Sequence, residues 1–261
     1  MKRATGLVTI GLLFAVGLFW VGCEAAKIAT PSSTAQPTGT PAPNLTVASS
    51  SATAELLAYR FPVAIDPAQN YLFYLHGKII EDQGLPAISP AYEEYEYAAI
   101  LEKLASYGFT VISEQRPKNA DGIKYAERVA GQVTGLLKAG VPAGNITIVG
   151  ASKGAAIAIH VSHLLKNEAV NFVLLGACPP DEVDWLVQNN IFLAGNILAI
   201  YDFADEYAGS CEKLFGLSAG KGLARQREII LQIGTGHGIL YKPLEDWLIP
   251  VIEWTREGMK P

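Results

Sequence analysis

The chain has 261 residues, of which 50% are hydrophobic and 17% charged, and it carries a formal net charge of −5. That length supports one domain with a substantial core and is short for two large ones. The weak acidity offers no basic face, so no nucleic-acid partner is expected.

Residues 1–23 read as an export signal. Met1-Lys2-Arg3 is a short basic start, residues 6–22 are apolar and uncharged, and Cys23 follows directly. Gly22 before Cys23 resembles the bacterial lipoprotein processing site, which implies a lipidated Cys23 as the new N-terminus. An uncleaved anchor and ordinary secretion stay open. As a helix the apolar run spans roughly 25 Å, just short of a hydrocarbon core. All three readings place the domain outside the cytoplasm, and the first two hold it at the membrane. Residues 24–54 are rich in Ala, Pro, Ser and Thr without apolar periodicity, and read as a flexible tether.

The domain proper is expected over 55–261. Apolar runs predict strands at 57–64, 71–75, 108–114, 146–150, 171–177, 196–201 and 228–233. Amphipathic segments predict helices at 92–106, 121–139, 153–167, 181–189, 204–216 and 244–257. The middle strands are apolar on both faces, as in a parallel sheet covered on both sides. The alternation predicts a doubly wound α/β fold, a mostly parallel sheet of about seven or more strands with helices on both faces. In such sheets sites form at the carboxyl edge of the strands. His76, Arg116, Ser152, Cys178, Asp205 and His237 all follow strands, so the candidate chemistry lies on one edge.

Gly150-Ala151-Ser152-Lys153-Gly154 fits the G-x-S-x-G elbow, with a strand before it and a helix after it. Ser152 is then either a nucleophile held out by a tight turn or a plain helix cap. A serine nucleophile needs a histidine base and an acid that orients it. His237 sits between glycines after the last strand, and Asp205 lies between the two in the chain. Asp202 and Glu206 are rival acids. His160 and His163 share a helix face but have no carboxylate or cysteine at matching spacing, so no metal site is expected. Arg116 and Lys118 could hold an anionic group of a substrate or bind loop carbonyls. Outside the cytoplasm, Cys178 and Cys211 are candidates for a disulfide that would pin the loop carrying Asp205.

"YLHGKIIEDQG", "SEQRPK", "VGASKG", "YDFADEYAGS" and "GHGILYKP" together resemble small bacterial α/β-hydrolases of undefined substrate, over residues 57–258. The resemblance implies Ser152 as nucleophile, His237 as general base and Asp205 as its orienter. It also implies an oxyanion hole made by the backbone N–H of Lys153 and one from the loop after His76-Gly77, for which Lys78 is the choice. His76 reads as a packing residue beneath that loop. The Pro179–Asn196 crossover is too short for a helical lid, so an open site is expected. Tyr92, Tyr95 and Tyr97 are expected near its entrance or in helix packing.

The expected activity is that of a serine esterase or thioesterase working through an acyl-enzyme on a small acyl-containing substrate, without a cofactor. A serine peptidase using the same triad and a tethered, non-catalytic binding module are the alternatives. No residue pattern in the chain sets an oligomeric state.

Overall fold

The structure is a computed structural model and describes residues 59–259; the expected signal, Cys23 and the tether lie outside them. In chain order the elements are β1 (Tyr71–Leu75), α1 (Lys78–Gln83), β2 (Ile88–Ser89), β3 (Glu93–Glu94), α2 (Tyr97–Ser106), β4 (Thr110–Ile112), α3 (Gly122–Lys138), β5 (Ile146–Ala151), α4 (Lys153–Leu165), β6 (Asn171–Leu175), α5 (Pro180–Gln188), β7 (Gly195–Asp202), α6 (Glu212–Ser218), β8 (Leu223–Leu231) and α7 (Glu245–Gly258). The main sheet has 6 strands in the order β4-β1-β5-β6-β7-β8. Every pairing in it is parallel. β2 and β3 form a separate antiparallel ribbon.

Strand alternation builds two cores, one on each face of the sheet. Phe73, Ile148, Phe172, Leu174 and Ile197 face the helices α3 to α6. Leu72, Tyr74, Val149, Val173 and Leu198 face α2 and α7. α3 shows how sequence makes such a helix. Asp121 caps it by accepting from the Ile123 and Lys124 amides, and Ala126, Val129, Val133 and Leu136 recur at helical spacing on its buried side. Strand order reverses between β1 and β5, because β4 lies on one side of β1 and β5 to β8 on the other. That is where doubly wound sheets open a crevice at their carboxyl edge.

The differences from expectation have physical reasons. No strand forms over 59–64; Tyr59 instead accepts a hydrogen bond from the Ser113 amide through its carbonyl. The helix expected from 92 begins at Tyr97, because 88–94 are taken up by the β2–β3 ribbon. The helix expected at 204–216 is displaced to Glu212–Ser218. The stretch before it is drawn into loop bonds, with the Tyr207 amide on Asp205 Oδ1 and the Gly209 amide on the Ala177 carbonyl. β8 starts at Leu223, earlier than its apolar run. Its first half is polar because it is an edge, where Arg225 pairs with Glu257 and lies over the Trp254 ring at 3.7 Å.

Among the described residues no helix is long and apolar enough to cross a membrane. Trp247 of α7 is fully buried at 0% exposure, and its Nε1–H donates to the Lys242 carbonyl at 3.0 Å. Trp247→Ala is expected to lower unfolding stability by about 3–5 kcal/mol, read as a shift in the urea midpoint.

Candidate active site

The site grows from the crossing of β5 and α4. β5 is buried throughout, between β1 and β6. The chain leaves it through Ser152, at φ 53° and ψ −120°, a sparsely populated conformation for a residue with a side chain. The surroundings impose it. The Ser152 amide donates to the Leu175 carbonyl at 2.9 Å, and its carbonyl accepts from the Ala155 amide at 2.7 Å. Both flanking glycines are required. A Cβ on Gly150 would collide with the Gly154 carbonyl, and one on Gly154 with the Leu75 carbonyl. The Ser152 hydroxyl makes no capping bond to α4, so the plain helix-cap reading does not describe it.

His237 lies in the turn Gly236–Leu240 that follows β8. Its Nδ1 is 2.8 Å from Asp205 Oδ2, and the Asp205 side chain is wholly buried. With the carboxylate as acceptor, the proton sits on Nδ1 and Nε2 is the free acceptor. The other carboxylate oxygen accepts from the Tyr207 amide at 2.9 Å, which fixes the acid in turn. Gly176 leaves room for the ring: a Cβ there would lie 3.1 Å from His237 Cε1.

Asp202 does something different. Its carboxylate accepts from the amides of Ala204, Ile233, Gly234 and Gly236, at 2.8–3.2 Å. It therefore binds the end of β7 to the loop that carries His237. Burial acts to raise its pKa, but the four amide bonds outweigh that and leave it below the usual carboxylate range. Glu206 is exposed.

Ser152 and His237 line one cavity of about 350 Å³, with Gly77, Lys78, Ile79, Tyr92, Tyr95, Tyr207, Leu240 and Tyr241. No hydrogen bond joins Ser152 to His237 among the described residues. The loop at Gly77 packs directly on the serine, since a Cβ on Gly77 would lie 3.7 Å from Ser152 Cβ. Lys78 and Lys153 are the first residues of α1 and α4. Their backbone N–H groups are first-turn amides, which a helix leaves without an internal partner. The Lys78 side chain is drawn off to Asp82.

His76 lies beneath this loop, buried at 0% exposure. Its Nδ1–H donates to the Gly77 carbonyl at 2.8 Å, and its Nε2 accepts from the Arg116 amide at 2.9 Å. Burial first, then the Arg116 cation, pushes its pKa down to about 3, so the ring is neutral. Arg116 itself is not on the cavity wall. Its guanidinium is buried, donates through Nε to Glu81 at 2.5 Å and through Nη2 to the His76 carbonyl, and so cannot reach a substrate anion. Lys118 is exposed.

Of the three tyrosines expected near the entrance, Tyr92 and Tyr95 line the cavity, while Tyr97 is buried with its hydroxyl 2.6 Å from Ser113 Oγ. Tyr207, not foreseen, stands edge-on to the His237 ring at 5.4 Å. His160 and His163 lie elsewhere, beside Trp185 and the Phe192 backbone. Among the described residues no three side chains group as metal ligands. Cys178 and Cys211 are bonded, with Cα atoms 5.3 Å apart, and the segment carrying Asp205 runs between β7 and this bridge. Glu81 and the Lys153 side chain were also unforeseen; the one signal was a carboxylate placed directly after Ile79 and Ile80.

No family model and no curated protein matches the sequence. Among solved structures, SOBER1 of Arabidopsis thaliana is similar at 14% identity and a TM-score of 0.51, over 74% of this chain and 100% of that one. Esterase PE8 matches at 16% identity and a TM-score of 0.49, over 77% of this chain and 99% of its own. The carboxylesterase of Bacillus cereus matches at 16% identity and a TM-score of 0.45, over 74% and 91%. At these identities the likeness is one of fold. The chain has the α/β-hydrolase fold, and among the described residues there is no large lid.

Two outcomes are expected from this geometry. Asp202 has a folded-state pKa below its unfolded value, so its bonds stabilise fully above the ordinary carboxylate range and are lost as pH falls through the depressed value. Asp202→Asn should therefore lower the melting temperature by a few degrees at pH 7 and flatten the acid side of the melting temperature against pH. Replacing Cys178 and Cys211 by serine opens a closure across 33 residues and should cost about 2–4 kcal/mol in guanidinium unfolding.

Proposed function

We propose that the protein is a serine hydrolase of the esterase type, with Ser152 as nucleophile, His237 as general base and Asp205 as its orienter. One observation carries this reading. A serine in a strained turn, with its hydroxyl unused by the helix, shares a cavity with a histidine tied to a buried carboxylate.

In the proposed reaction the Ser152 hydroxyl attacks the substrate carbonyl carbon and passes its proton to His237 Nε2. The negative charge that develops on the carbonyl oxygen is met by the Lys78 and Lys153 amides. His237 then protonates the leaving alkoxide or thiolate, leaving an acyl-Ser152 ester. Water, deprotonated by the same nitrogen, releases the acid. The bond between Ser152 and His237 is one that substrate binding would draw tight, as is common at such sites.

The cavity wall favours neutral substrates with a small apolar or aromatic part. Ile79, Leu240 and the tyrosines 92, 95, 207 and 241 supply apolar surface, and the one cation beside them among the described residues, Lys78, is paired with Asp82. We also propose that the chain works outside the cytoplasm, held at the membrane through Cys23 or an uncleaved anchor, as the apolar run 6–22 implies.

The test is labelling of the purified full chain with a fluorophosphonate, beside Ser152→Ala and His237→Ala. Labelling of wild type alone is expected. A folded wild type that resists the probe would overturn the hydrolase reading and favour a binding module.

A further inference from the structure

Glu81 is a carboxylate without access to water: its side chain is 0% exposed. Its Oε1 accepts from Arg116 Nε at 2.5 Å, and its Oε2 accepts from Lys153 Nζ at 2.5 Å. Lys153 Nζ also donates to the Ala120 carbonyl at 2.8 Å. Taking such a group out of water carries a desolvation penalty that its partners only offset. Apolar residues of similar volume would commonly hold the same space at no loss of stability. Stability alone therefore gives no account of an anion at this position.

Its place in the fold does. α1 begins at Lys78 and α4 begins at Lys153. Lys78 lines the cavity with Ser152, Lys153 follows Ser152 in the chain, and in the proposed reaction their amides receive the oxyanion. Glu81 lies one turn into α1 and grips the side chain of Lys153, so a single carboxylate joins the two elements that each bring one amide. Arg116 completes the frame. It pairs with Glu81, donates to the His76 carbonyl through Nη2, and offers its own amide to His76 Nε2. The His76-Gly77 loop is thus held directly from the segment after β4, and through Glu81 the helix it opens into is tied to the start of α4.

We propose that Glu81 is a positioning residue that sets the distance between the Lys78 and Lys153 amides, and so keeps an oxyanion hole formed before substrate arrives. This rests on the serine-hydrolase reading above. Preorganised donors act at the developing charge and not on the bound ground state. Misplacing one by an ångström is enough to cost about a hundredfold in rate. Loss of Glu81 should therefore appear in kcat and leave KM almost alone.

The test uses the full chain, 4-nitrophenyl butyrate as substrate and a phenylboronic acid as a tetrahedral-adduct mimic. In Glu81→Gln, kcat is expected to fall about ten- to hundredfold with KM within about twofold, and boronate affinity to fall in step with kcat/KM. Lys153→Met keeps the backbone amide and removes one end of the bridge at a partly exposed side chain, so it provides the same reading should Glu81→Gln not fold. Its kcat is expected to fall likewise, and Lys153→Arg to restore most of it. An active wild type whose folded Glu81→Gln or Lys153→Met variant keeps kcat and boronate affinity within about twofold would overturn the positioning role alone. A folded wild type inert to substrate and fluorophosphonate would overturn the hydrolase reading and this role together.

Discussion

At the end of β1 the carbonyl oxygen of Leu75 faces the α-carbon of Gly154, with no room for a side chain between them. Gly150 stands in the same relation to the Gly154 carbonyl one step away. This approach lets the first turn of α4 settle over the sheet edge at the point where strand order reverses. It forces the chain through the unusual torsions of Ser152, and it brings Lys153 beside the His76-Gly77 loop. Any side chain at either glycine would lift α4 away, and serine, amides and loop would separate together. The cost of the strained serine, about 1–3 kcal/mol, is offset by the backbone bonds that hold it to Leu175 and Ala155.

Two buried carboxylates then hold the loops around this crossing, by different means. Asp202 is solvated by four backbone amides, an arrangement that favours its ionised form without a counter-ion. Glu81 is balanced by two cations from distant parts of the chain. The first arrangement fixes the histidine loop relative to β7. The second fixes α1 relative to α4. The disulfide adds a third tie, behind the segment that carries Asp205.

The rim of the cavity is aromatic. Tyr241 packs against Tyr92 and Tyr95 with ring centroids 5.2 and 5.0 Å apart, and the Glu96 amide donates to the Tyr241 carbonyl. The β2–β3 ribbon is clamped to α1 by Gln83, which exchanges two hydrogen bonds with the Ile88 backbone, and to the histidine loop side by Glu93 and Lys242. Ser89, Ala91, Tyr92 and Tyr95, a third of the residues that line the cavity, thus come from a small insert after α1.

Much of this was legible in the residues. Apolar runs marked five of the six main strands closely, and the elbow glycines marked the crossing, because both are requirements of local backbone geometry. The order of Ser152, Asp205 and His237 pointed to three loops on one edge, and the resemblance to α/β-hydrolases joined them. Where local pattern misled, a distant partner had intervened: the ribbon delayed α2, the loop bonds around Asp205 displaced α6, and Glu257 with Trp254 made a polar strand of the start of β8. The sequence by itself determined a covered parallel sheet with a sharp turn at Ser152, since burial and turn chemistry are read from neighbours in the chain. The resemblance named Asp205 for the histidine with Asp202 as its rival, but only the tertiary structure decided that Asp202 serves the loop. It also decided that Arg116 turns inward, because Glu81 lies 35 positions from Arg116 and 72 from Lys153, and no local pattern says which charges will meet.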